Sequence, residues 1–132
     1  MAPSPDVRST LAPWLHVRGS ARAVDFYKSA FSAIETYRVD DGSGNIVARL
    51  SIGSSEFWVG DESPDHENFS PESLAGSTAR MILTVDDPDA VFAQTCAAGA
   101  TAVHPVSESH GWRLGRVVDP FGHHWEIGRE LQ

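Results

Sequence analysis

Through residues 11–17, "LAPWLHV", apolar and polar positions alternate as they do in a half-buried strand, where successive side chains point to opposite faces. The period then changes. In "SARAVDFYKSAFSA" (20–33), Ala23, Phe26, Tyr27, Ala30 and Phe31 recur at the spacing of one helix face. Three short runs follow, "IETYRV" (34–39), "NIVARLSIG" (45–53) and "EFWVG" (56–60), and the turn-forming stretches "DDGSG" and "GSS" separate them. The order is βαβββ. After the polar segment 61–78 the same order returns, as a strand at 80–85, a helix at 87–99, and strands at 101–106, 112–118 and 123–128.

An offset of 68 residues makes the repeat explicit, since it carries Leu15 and Val17 onto Leu83 and Val85, and Ala30 onto Ala98. It also lays "EFWVGDE" (56–62) on "HWEIGRE" (124–130), pairing Phe57 with Trp125, Val59 with Ile127, Gly60 with Gly128 and Glu62 with Glu130. One offset serving both ends predicts two tandem modules of the α+β class. The expected organisation is an N-terminal arm over 1–10, a first module over 11–62, a linker over 63–79 and a second module over 80–130. The linker is longer than a minimal connection, so a cover over a binding site is a further expectation for it.

Composition narrows the functional classes. A chain of 132 residues with 41% apolar content suits one compact domain. Ten basic against 18 acidic residues give a formal charge of −8, which repels phosphate backbones and anionic lipid, so neither nucleic acid nor a membrane is expected as partner. No 18-residue apolar run exists to span a bilayer. The lone cysteine, Cys96, at helical spacing from Phe92, reads as a small packed residue, and with no internal disulfide the expected location is cytoplasmic.

The stretches "WRLGRVVDPFGHHWEI", "VDDPDAVFAQTCAAGAT" and "WLHVRGSARAVDFYKSAF" resemble the vicinal oxygen chelate superfamily of glyoxalase I, bleomycin resistance proteins and extradiol dioxygenases, and within it the PhnB-like branch. The resemblance runs from about residue 11 to 129, and "DPFGH.WEI" is its most distinctive part. It implies a curved mixed sheet built from paired βαβββ modules, with helices outside and a small molecule in the concavity. It also implies two-fold homodimers in which the first module of one chain faces the second module of its mate.

Strand parity assigns the faces. Leu15, Val17, Phe57, Val59, Leu83, Val85, Trp125 and Ile127 should pack under the helices. The other face, the cup, then carries Ala12, Trp14 and His16, Glu56 and Trp58, Arg80, Ile82 and Thr84, and His124 and Glu126. Metal-using relatives place four ligands at positions that the resemblance maps onto Ala12, Trp58, Arg80 and Glu126. Of these only Glu126 can ligate, because alanine has no donor atom, indole N–H cannot coordinate and a guanidinium stays protonated. The expectation is therefore a protein without metal or other cofactor, holding an aromatic or amphipathic ligand through Trp14, His16, Trp58, Arg80, His124 and Glu126. The alternative is a divalent-metal-dependent lyase, isomerase or dioxygenase, which would need an altered ligand set such as His16, His124 and Glu126. Catalytic residues are not identified.

Each candidate has a plainer role as well. Arg80 and Glu126 read either as an ion pair filling the space of a metal or as a grip on an anionic group. Trp14 and Trp58 read as stacking surfaces or as core, Trp125 as core, and Trp112 has no assigned face because "SESHG" can reset the parity. His123 reads as a turn fastener, and His66, His104 and His110 as surface residues.

Overall fold

The computed structural model describes residues 9–132. The expected arm over 1–10 falls almost wholly outside them. The elements are β1 (Trp14–Val17), α1 (Ser20–Phe31), β2 (Ile34–Asp40), β3 (Ile46–Ile52), β4 (Ser55–Asp61), α2 (Pro71–Leu74), β5 (Arg80–Thr84), α3 (Pro88–Ala98), β6 (Thr101–Ser109), β7 (Trp112–Val118) and β8 (His124–Glu130). They form two four-stranded mixed sheets, ordered β1-β4-β3-β2 and β5-β8-β7-β6. In each, the first strand pairs in parallel with the last and the rest are antiparallel. The helices cover one face of each sheet, as the resemblance implies.

Local chemistry explains where the helices start and stop. Asp87 caps α3 by accepting from the Ala90 N–H, Pro88 occupies the first turn, and Gly99 ends the helix with φ of 128°. For α1 the cap comes from a distant strand, since Asp61 Oδ1, at the end of β4, accepts from the backbone N–H groups of Gly19 and Ser20 at 3.0 and 3.2 Å. Ser32, at φ of 56°, closes α1 two residues earlier than periodicity predicts. The polar linker forms a 3-10 turn at Pro64–His66 and the short α2, neither of which hydrophobic pattern reveals. Glu62 ties α2 down, accepting from Arg18 Nε at 2.8 Å, Ser73 Oγ at 2.6 Å and Ser70 N–H at 3.0 Å.

The two helix-covered faces share one core. Phe57 of β4 and Trp125 of β8 meet edge to face at 5.6 Å, and Tyr27 and Phe31 of α1 contact the same indole at 5.5 and 4.5 Å. Beneath them Asp119, only 4% exposed, accepts from Tyr27 Oη at 2.5 Å, Trp125 Nε1 at 3.0 Å, and the N–H groups of Phe121 and His123 at 2.9 and 3.0 Å. Four donors meet the demand of a buried carboxylate. Burial and the neighbouring carboxylate push the Tyr27 hydroxyl well above the usual tyrosine range, so it stays a donor. The "DPFGHHW" motif is thus a fastening of the first helix onto the second sheet.

Candidate functional site

Because Phe57 and Trp125 point into the shared core, Trp58, His124 and Glu126 point away from it. The first sheet's outer face carries a straight cross-strand row. Trp14 on β1 stands opposite Trp58 on β4, Trp58 opposite Arg49 on β3, and Arg49 opposite Tyr37 on β2. The two indoles stack at 5.7 Å with planes 9° apart, Tyr37 meets Trp58 edge on at 5.7 Å, and the Arg49 guanidinium lies 5.4 Å from the Trp58 ring. Gly60 leaves room for the Trp14 ring, since a Cβ there would crowd Trp14 Cζ2 at 3.0 Å. Trp14 remains 45% exposed, a large flat apolar surface open to solvent.

The second sheet's outer face is charged. Its matching row runs Ile82, Glu126, Arg116, His104 across β5, β8, β7 and β6. Arg80 Nε meets Glu126 Oε1 at 2.7 Å, and Arg116 Nε donates to His124 Nδ1 at 3.1 Å. Burial, then the adjacent Arg116, holds His124 below the usual histidine range, leaving a neutral ring at pH 7. His16, half-buried beside Trp14, is lowered by burial and then by His123, and its Nδ1 is buried without a hydrogen-bond partner. His123 fastens more than its own turn, because its Nε2 donates to the His16 carbonyl at 2.9 Å and so bridges the modules.

Two grooves flank the open strands β1 and β5. One of about 850 Å³ lies along Ala12, Arg49, Glu56 and Trp58 and reaches Ile82 and Thr84. The other, about 610 Å³, lies between Trp14, His16 and the linker residues Phe69 and Leu74. Within one chain the six candidate residues therefore fall into two groups on separate sheets: Trp14, His16 and Trp58 on the first, Arg80, His124 and Glu126 on the second. Tyr37, Arg49 and Arg116 belong to the same rows, although sequence reasoning passed over them. For Arg49 the signal was present in "IVARL", where it sits between Ala48 and Leu50, both fully buried. Trp112 begins β7 on the face of Leu114 and Arg116, because the β6–β7 hairpin turns tightly through His110 and Gly111, both at positive φ, without resetting parity.

Comparison with known proteins places this geometry. No family model matches the chain. An uncharacterized protein of Mycobacterium bovis is 38% identical over 132 residues, covering 96% of this chain and 87% of that protein. Crystal structures of TioX from Micromonospora sp. ML1 and of a glyoxalase/bleomycin resistance protein/dioxygenase family enzyme from Burkholderia phytofirmans both superpose with a TM-score of 0.72. Each comparison covers 93% of this chain and all of the other, at 30% and 22% identity. Its fold is the one shared by the glyoxalase/bleomycin resistance/dioxygenase structures on which it superposes. It forms one family with the mycobacterial protein and TioX.

A fosfomycin resistance protein of this fold from Listeria monocytogenes was solved with Mn(II), so the donor set here decides whether a cation fits this chain. Positions 12, 58 and 80 present a methyl, an indole and a guanidinium, and the Arg80 guanidinium already occupies Glu126. Among the described residues no three His, Cys, Asp or Glu side chains converge. These residues do not fit the four-ligand site.

Proposed function

We propose that the protein binds a small aromatic or amphipathic molecule without a metal, stacking it on Trp14 and Trp58 in a cup completed by Arg80, His124 and Glu126. The stacked indole pair on an open sheet face carries this reading, since planar apolar surface exposed beside cations suits a flat ligand. Sequestration of a toxic compound in the cytoplasm is one use such a site serves, and the "DPFGH.WEI" ending favours the PhnB-like branch. A metal-dependent lyase, isomerase or dioxygenase finds a single ligand, Glu126, at the four positions it would use.

The cup is assembled by a homodimer in this reading. The outer faces of the two sheets look away from their common core, which favours a cup closed by a second copy over one closed by the two modules of a single chain. The unpaired edges β1 and β5 and the exposed Ile82 and Trp14 are what a two-fold mate covers. Sedimentation equilibrium at micromolar concentration should return twice the chain mass of 14.3 kDa. Elemental analysis of untagged protein should find no stoichiometric divalent metal, and one equivalent of zinc, nickel, manganese or iron overturns the metal-free reading.

A further inference from the structure

Arg49 and Arg116 occupy the same place in the two sheets. Arg49 stands opposite Trp58 and Arg116 opposite Glu126, and the 68-residue offset carries Trp58 onto Glu126 and Glu56 onto His124. In the first sheet the guanidinium is neutralised internally, with Arg49 Nε 3.1 Å from Glu56 Oε2. In the second, the place of that carboxylate is taken by His124, which accepts from Arg116 Nε at 3.1 Å but brings no negative charge. Arg116 enters none of the ion pairs formed among the described residues, and it is half-buried on the cup face.

The surrounding charges leave a surplus. Glu126, directly across from Arg116 in register, turns its Oε1 to Arg80 instead. This local excess of positive charge sits in a chain of formal charge −8. A half-buried cation without a counter-ion is unfavourable, and an anion placed beside it is correspondingly welcome. His124 adds a donor. A guanidinium cannot accept, so Nδ1 presents its lone pair and the ring hydrogen is on Nε2.

We propose that Arg116, with His124 Nε2–H beside it, holds the carboxylate of a planar aromatic acid whose ring stacks on Trp14 and Trp58. The inference rests on the reading of the cup as an aromatic binding site and adds the chemical class of ligand. In the dimer it makes the site composite, with the indole pair of one protomer facing the partner's Arg116.

The test is calorimetric titration of the full chain with 2-naphthoate and with its neutral analogue 2-naphthamide. Wild type should bind the acid about tenfold more tightly than the amide, the scale of one charge-assisted contact. Arg116→Gln should bring the acid down to the affinity of the amide and leave the amide unchanged, and Arg116→Lys should keep part of the preference. His124→Glu should rebuild the internal pair seen at Arg49 and Glu56 and abolish the preference with Arg116 still in place. Should Arg116→Gln fail to bind naphthamide, its fold is damaged and His124→Glu decides. Equal affinity for both probes in wild type, or a preference that survives His124→Glu, overturns the carboxylate site and leaves the aromatic cup standing. Failure of wild type to bind either probe overturns the aromatic cup and this inference together.

Discussion

The two modules share strand order, pairing pattern and helix placement, yet their two faces have diverged unequally. On the helix-covered side the correspondence is close: Leu15, Val17, Phe57 and Val59 are matched by Leu83, Val85, Trp125 and Ile127, all packed in or against one core. On the outer side an aromatic row, Trp14, Trp58 and Tyr37, faces solvent in the first module, and Ile82, Glu126 and His104 stand at the same points in the second. The modules also differ in how fully they are covered. Strands β1, β3 and β4 bury most of their inner residues, whereas β5 and β6 stay largely exposed along their length. Packing constrains the shared face, because a lost methylene or a misplaced polar group is costly there. The outer face is free to specialise, so it holds the information about ligand.

The sharpest break in that comparison is at Asp119, a second-module residue that holds a first-module helix. Asp119→Ala leaves four buried donors, including Tyr27 Oη and Trp125 Nε1, without an acceptor. A loss of about 3 kcal/mol or more in urea unfolding is expected. Asp119→Asn, which keeps an acceptor oxygen, should lose less. Equal stability of Asp119→Ala and wild type would mean that the modules are not joined through this carboxylate.

Neighbouring residues on one strand separate the two faces. Phe57 is 5% exposed against Tyr27 and Trp125, so Phe57→Ala should cost about 3 kcal/mol of stability. Trp58→Ala, one position along, should cost about 1 kcal/mol, yet weaken a planar ligand roughly tenfold in a fluorescence titration. If both variants lose stability alike and binding persists in Trp58→Ala, Trp58 is core and the stacking role fails. On the opposite module, Ile82→Asp puts a charge on the exposed face of the β5 edge, and it should shift sedimentation toward the 14.3 kDa monomer without changing the circular dichroism spectrum.

Most of the architecture was legible in the chain because period and parity are local properties. The switch from alternation to helical spacing marked both modules, and "DPDAVF" and "AAG" carried the cap and stop of α3 within a few residues. What escaped was set by distant partners. The cap of α1 comes from Asp61, and the linker takes shape around Glu62, Arg18 and Ser73, none of which a short window relates. Candidate residues were legible one strand at a time, but the rows that join them depend on register. Arg49 and Arg116 gain meaning only when the strands on either side are known. The division of the cup-face residues between opposite sides of one core likewise follows from helix packing between modules.

Glu62 and Glu130 are partners in the repeat, and they supply the mildest test of how far the modules have diverged. Glu62 gathers three donors, with the Ser73 hydroxyl first, then Arg18 and the Ser70 N–H, and these hold its carboxyl down at about 2 against an ordinary 4.5. Glu130 is exposed at the end of β8 and makes no side-chain ion pair among the described residues. A carboxyl whose folded value lies below its unfolded one contributes stability above about pH 4.5 and loses it as the pH falls toward about 2. Glu62→Gln should therefore lower the urea midpoint slightly at pH 7, with the gap to wild type closing as pH drops through that window. Because Arg18, its charged partner, is more than half exposed, the effect should be small and should shrink in high salt. Glu130→Gln should leave the midpoint at pH 7 unchanged, since the side chain is exposed and makes no ion pair among the described residues. A matching loss at both positions would show that the linker contacts of Glu62 contribute nothing beyond general surface charge, and that at this pair the two modules remain equivalent.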